Sequence, residues 1–177
     1  MKFFGRELYE RCRSDDPAIL DAAEDEWESA LQQYEQHLQA IEPHLPAHLR
    51  EFLGLLLHDA MVQSIGRQDD RLVLILRKDI PPRDLIILTY ELEREPLLEP
   101  FAPSARDWTQ PTDFNFDEFD VLHEDGQTVY TQEIVFGNGW LLRLRFRNLQ
   151  VTRAAAVFPL EVGASIPNLS PPIAQSA

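Results

Sequence analysis

His58 and Asp59 stand side by side in this chain. A histidine held by an aspartate is the orienting half of a general base, or a metal ligand with the carboxylate behind it. Either use needs a third member, and His123 is the one distant residue that could supply it. One reading is therefore a metal-dependent or His/Asp-based hydrolase centred on His58 and Asp59. The plainer reading is structural: Asp59 caps a turn and His58 lies partly buried beside it. No Gly-x-Ser-x-Gly, His-Glu-x-x-His or Cys-His pairing occurs in the sequence to favour catalysis.

Other residue sets invite the same test. His44 and His48 have the spacing of helical metal ligands, with Glu51 on a neighbouring turn. Pro46 lies between them and assigns His44 to the linker before a helix, so no metal site is assigned. Asp113, Asp117, Glu118, Asp120, Glu124 and Asp125 follow one another with no lysine or arginine among them. Calcium takes such oxygen ligands, but the spacing and central glycine of an EF-hand are missing. The set reads either as a solvated strand face or as an acidic edge turned to a partner, with Asp117, Glu118, Asp120 and Glu124 carrying the contact. Arg143, Arg145 and Arg147 share one strand face, and with Glu133 across the sheet they read as self-neutralised. Cys12 has no assignable base and reads as an ordinary, partly buried cysteine. Nothing cradles a phosphate or a dinucleotide, and no cofactor is expected.

Composition narrows the partners. The 177-residue chain carries 30 acidic against 16 Lys and Arg side chains, a formal net charge of -14. Phosphate backbones repel such a surface, which argues against nucleic acid, whereas a basic protein is drawn to it. The apolar fraction of 44% supports a true core. A single cysteine rules out an internal disulfide framework. With no secretory leader and no apolar run of membrane-spanning length, the chain reads as cytoplasmic and not membrane-bound.

These residues must be positioned by two kinds of element. Residues 1–13 can form a short helix with Phe4 and Leu8 on one side. A long helix begins with Asp16 as N-cap and Pro17 at its first position. Its apolar stripe runs through Leu20, Ala23, Trp27, Leu31, Tyr34, Leu38 and Ile41, in steps of three and four. Glu24, Asp25, Glu26 and Glu28 crowd its first half, and Pro43 and Pro46 end it. A shorter helix spans roughly Ala47 to Leu56. The period then changes to that of strands: Met61–Arg67 and Arg71–Arg77 as a hairpin, then Asp84–Glu95. Residues 96–113 hold four prolines and read as a long surface loop. Phe116–Glu124, Thr128–Phe136 and Trp140–Arg147 follow, with a last strand from Leu149 to Val157 and a proline-containing mobile tail. A three-residue loop at Gly137-Asn138-Gly139 opposes Ile134 to Leu142, Gln132 to Leu144 and Tyr130 to Phe146, with Glu133 facing Arg143.

Met1-Lys2-Phe3-Phe4, Glu7-Leu8-Tyr9 and Leu57-His58-Asp59-Ala60 resemble a family of small bacterial proteins of unknown function. In that family a helical N-terminus precedes a sheet whose first strand follows a Leu-His-Asp-Ala or Leu-His-Asp-Ser sequence. The likeness extends through Leu72–Leu76 and Gly139-Trp140 to Phe146. It implies no established activity. Similar His-Asp-bearing sheet domains look like some proteins encoded near bacterial toxins, immunity proteins among them, an analogy at the level of fold alone.

The expected architecture is α+β, with N-terminal helices packed on a mainly antiparallel sheet of five to seven strands. Residues 1–56 form the helical segment, 57–157 a sheet domain packed with it as one unit, and 158–177 the tail. The long helix is expected to lie on the face formed by Tyr130, Ile134, Phe136, Trp140 and Leu142. The leading functional expectation is a non-catalytic, immunity-like protein-binding module using an acidic surface, with His58, Asp59 and the acids of residues 117–124 as binding residues. The rivals are the hydrolase above and a self-associating structural protein.

Overall fold

The computed structural model describes residues 1–78 and 83–155. It is an α+β protein: helices α1 (Arg6–Arg11), α2 (Pro17–Ile41) and α3 (Ala47–Leu53) precede seven strands. The strands are β1 (Ala60–Gln68), β2 (Arg71–Arg77), β3 (Leu85–Leu92), β4 (Leu97–Pro100), β5 (Asp113–Glu124), β6 (Gln127–Phe136) and β7 (Trp140–Ala154). Every pairing in the sheet is antiparallel.

Sheet order explains why both faces of the strands are apolar. β1-β2-β3 and β5-β6-β7 are two meanders, and β3 also pairs with β7 while β1 pairs with β5. The six strands therefore close on themselves. β7 makes this possible by its length: its first half pairs with β6 and its second half with β3. β4 continues β3 along the same strand, Leu97 opposite Arg143 and Pro100 opposite Trp140. Pro96 and a proline at the end of β4 did not prevent pairing, because an edge segment needs few donors. Residues 96–113, expected as a loop, thus contain a strand, and Phe101 and Ala102 after it are buried. The two strands expected at 140–147 and 149–157 are one, and the end of that expectation and the tail lie outside the described residues.

The turns obey local chemistry. Asp125 (φ 50°) and Gly126 (φ 76°) join β5 to β6 with both central residues left-handed, the conformation that suits a two-residue hairpin. At the next hairpin Gly139 (φ 84°) closes a three-residue loop, and Gly139 N–H donates to Phe136 O at 2.8 Å. The resulting register places Ile134 opposite Leu142, Gln132 opposite Leu144, Tyr130 opposite Phe146 and Glu133 opposite Arg143, as expected.

Inside the closed sheet Leu74, Leu88, Tyr90, Ile134, Phe136 and Phe146 form a core at or near zero exposure, and Leu49 and Phe52 of α3 join it. α2 begins as the sequence predicts, with Asp16 Oδ1 accepting from Ala18 N at 2.9 Å ahead of Pro17. Its placement differs from expectation. Only its end, Leu38 and Ile41, reaches the inner core. Further up, Ala23, Trp27, Ala30 and Tyr34 pack with Phe4, Leu8 and Phe116, on the outer face of β5. Trp27 lies edge-on to Phe116 at 5.1 Å and tilted against Phe4 at 4.7 Å. Leu31 stands exposed, outside the packed stripe, and His37 takes a half-buried place instead.

Candidate functional site

Leu57-His58-Asp59-Ala60 is a β-turn feeding β1. Ala60 N–H donates to Leu57 O at 2.9 Å, and both outer residues are buried. Asp59 N–H donates to Phe114 O at 2.9 Å, tying the turn to β5. Asp59 holds φ 62°, a conformation aspartate tolerates better than most residues. His58 and Asp59 project outward, their side chains each 67% exposed, with Nε2 3.3 Å from Asp59 Oδ1. The other ring nitrogen meets Asn115 O. His58 is thus not partly buried, as the structural reading expected, although the turn itself is structural. His123 sits at the far end of β5, its Nδ1 3.3 Å from Thr128 Oγ1. It lies eight positions along β5 from Asn115, about 26 Å at ~3.3 Å per residue, so the three groups are not brought together.

The acids of β5 do not form one outward edge; the chain's own groups engage them. Asp117 turns into the sheet, where its Oδ2 accepts from Gln132 Nε2 at 2.6 Å and Gln132 Oε1 accepts from Tyr90 Oη at 2.7 Å. The residue is half-buried with its carboxyl enclosed. Burial pushes that carboxyl up to about 6 against the opposing Gln132 hydrogen bond, and the neighbouring Glu118 charge adds to the rise. Glu118 is 7% exposed. Its carboxylate accepts three successive backbone N–H groups, Lys2 at 2.6 Å, Phe3 at 2.8 Å and Phe4 at 2.6 Å. The Met1 amine pairs with Glu133, which also faces Arg143 Nε at 3.0 Å. Asp120 lies 3.1 Å from His37 Nε2 on α2. Glu124 accepts from Arg145 Nη2 at 2.7 Å, and that hydrogen bond holds its carboxyl below the ordinary value.

Expected to face a partner, Asp117 and Glu118 are therefore corrected to internal roles. The physical cause is the bulge between Phe114 and Phe116. It resets the alternation of β5, so that Asp117 and Phe119 point in while Phe116 and Glu118 point toward the helices. Asp120 stays partly exposed beside His37, and Glu124 is exposed but paired with Arg145. Two of the three arginines behave as the sequence predicted: Arg143 pairs with Glu133 and Glu99, and Arg145 with Glu93 and Glu124, whereas Arg147 is exposed with no ion pair among the described residues. His48 Nε2 bonds Asn148 Oδ1 at 2.9 Å. No group of three or more metal-ligating side chains occurs among the described residues.

Sequence reasoning passed over a second acidic surface. On α2, Asp21, Glu24, Asp25, Glu26 and Glu28 are exposed. Among the described residues only Glu26 of these has an ion-pair partner, Arg11. The signal is present in the crowding of acids along one half of α2, a pattern the helix dipole also favours near a helix start. A cleft of about 450 Å³ opens beside this surface, between α1, α2 and the start of β5, with Trp27, Tyr9 and Phe116 in its lining. A groove of about 400 Å³ runs past Lys2, Arg94 and Arg143 on the other side of the N-terminal segment.

Fold and site together define an α+β class: helices clasped to a closed antiparallel sheet, with a buried carboxylate fixing the N-terminal segment and an acidic helix outside. Compared with known proteins, the chain matches no family profile, and no curated protein matches it. No helix among the described residues is long and apolar enough to cross a membrane.

Proposed function

We propose that this chain is a non-catalytic protein-binding module, immunity-like in character, that presents an acidic surface to a basic protein. The observation that carries the reading is the row of exposed acids on α2, of which only Glu26 has an ion-pair partner, Arg11, among the described residues. A surface of one sign steers an oppositely charged partner and speeds encounter. The contrast with the sheet supports the assignment, since there Asp117, Glu118, Asp120, Glu124 and Glu133 each meet an amide or a basic side chain of the chain itself. The exposed turn at His58 and Asp59 lies beside Asn115, at the border of the same face, and is included in the proposed contact.

The test compares two baits in a bacterial lysate, the native chain and one carrying Asp21→Asn, Glu24→Gln, Asp25→Asn and Glu28→Gln. The expected result is a basic protein held near stoichiometry by the native chain, released by high salt and lost from the variant. Identical retention by both baits, or retention that ignores salt, would overturn the reading.

A further inference from the structure

We infer that the cleft between α1, α2 and the start of β5 seats an arginine side chain projecting from a basic protein partner. The inference rests on the binding-module reading and names the chemistry of its contact. Trp27 and Phe116 bring their rings to the cleft, Trp27 edge-on to Phe116, while Tyr9 in its lining is buried. Glu24 and Glu28 line the same cleft, both exposed and neither ion-paired among the described residues. They lie one helical turn apart on α2 and flank Trp27, so their Cβ atoms are neighbours at about 5–6 Å. A ring face with carboxylates beside it attracts a cation by its quadrupole and by charge.

Arginine fits better than lysine. A planar guanidinium stacks on a ring while its fork of donors reaches two carboxylates, whereas an ammonium is a hydrated point charge. The chain itself displays the arrangement with Arg13, which lines one side of the cleft. Arg13 lies over the Tyr9 ring at 5.3 Å and donates from Nη1 to Tyr9 Oη at 2.8 Å. Trp27 and Phe116 have no such cation over them among the described residues. The cleft's volume, about 450 Å³, falls within the range of ligand sites.

The experiment titrates the full chain with the peptide (Arg-Gly)₃, its lysine counterpart and its neutral citrulline counterpart, following the Trp27 indole N–H by nuclear magnetic resonance. The arginine peptide is expected to shift that resonance, the lysine peptide to bind more weakly and the citrulline peptide not to bind. Glu24→Gln with Glu28→Gln should weaken the arginine peptide by about tenfold or more, roughly 1.4 kcal/mol. Asp69→Asn with Asp70→Asn removes the same charge at the exposed β1–β2 turn, at the far end of β1 from the cleft, and should leave the affinity within about threefold. All four substitutions are at exposed positions, so folding is preserved. Equal weakening by both pairs would overturn the cleft while leaving the acidic-helix reading intact. A wild-type chain that ignores the arginine peptide, yet still captures a salt-sensitive basic protein from lysate, would also overturn the cleft alone. Failure of both measurements removes the two together.

Discussion

Glu118 is one carboxylate serving three backbone donors, and almost none of it sees water. Charge-assisted hydrogen bonds are the strong ones, and a buried N–H left without a partner costs about 1–3 kcal/mol. Glu118→Ala should therefore destabilise the protein by about 3 kcal/mol in urea melts; a loss below about 1 kcal/mol would show that the N-terminal segment is not held there. Asp117 acts in the opposite sense. Its folded value of about 6 lies above the ordinary 3.8, so the native state binds the proton more tightly than the unfolded chain. The penalty is present in full above pH 6 and is relieved as pH falls from 6 toward 4. Asp117→Asn, which can still accept from Gln132, should be more stable than the native chain at pH 7.5 by about 2 kcal/mol, and the gap should close by about pH 4. A gap that does not change between those pH values would refute the assignment. None of this was legible in the sequence, where both residues were simply members of an acidic run. Which side of a strand a residue faces depends on the bulge before it, and nothing in the sequence around Asn115 announces that bulge.

Elements with strong local signals were legible, and the reason is that their residues decide without help from distant ones. Asp16-Pro17 starts α2, Asp125-Gly126 turns β5 into β6, and the Gly137–Gly139 loop sets the register of β6 on β7. Gly139 shows how tightly the last device is built. Its φ is 84°, and a Cβ there would meet Ala105 Cα at 3.1 Å. Gly139→Ala should cost about 2 kcal/mol, combining left-handed strain with a contact that must yield. A melt unchanged within about 0.5 kcal/mol would mean the loop relaxes freely. The docking of α2 was less legible. Its stripe was correctly placed as apolar, but an amphipathic helix records that it has a buried face, not which of two apolar sheet faces receives it. Because the sheet closes, the inner face was already filled by its own strands and α3, and α2 packs on the outer face through Phe4 and Phe116. β4 was missed for a related reason: four residues containing a proline carry little strand signal, and only the free edge of β7 recruits them.

At the scale of the molecule, closure is uneven. β2 pairs with β1 over seven positions and with β3 over seven, while β1 meets β5 at only two, Ala60 with Phe114 and Met61 with Asp113. Beyond Met61 only Val62 N–H, donating to Thr112 O at 2.9 Å, continues the seam, and the β5 edge that faces the gap is covered from α2: Phe119 N–H donates to Tyr34 Oη at 2.7 Å. Burial raises the Tyr34 hydroxyl above its ordinary value, so it stays protonated at any physiological pH. The helix therefore substitutes for a missing strand neighbour at that amide. Local opening draws first on the regions with fewest ladder bonds. Native-state hydrogen exchange should accordingly be slowest in β2 and β3, and faster along β1 and β5 where they face the gap, with Phe119 an exception on β5. Tyr34→Phe keeps the ring but removes the acceptor, leaving the Phe119 amide unpaired. It should cost about 1 kcal/mol and bring Phe119 exchange to the rate of its unpaired neighbours. If the Phe119 amide stays slow in that variant, the seam is held by packing of the rings of Phe3, Phe4 and Phe116 against α2, and the hydroxyl is incidental.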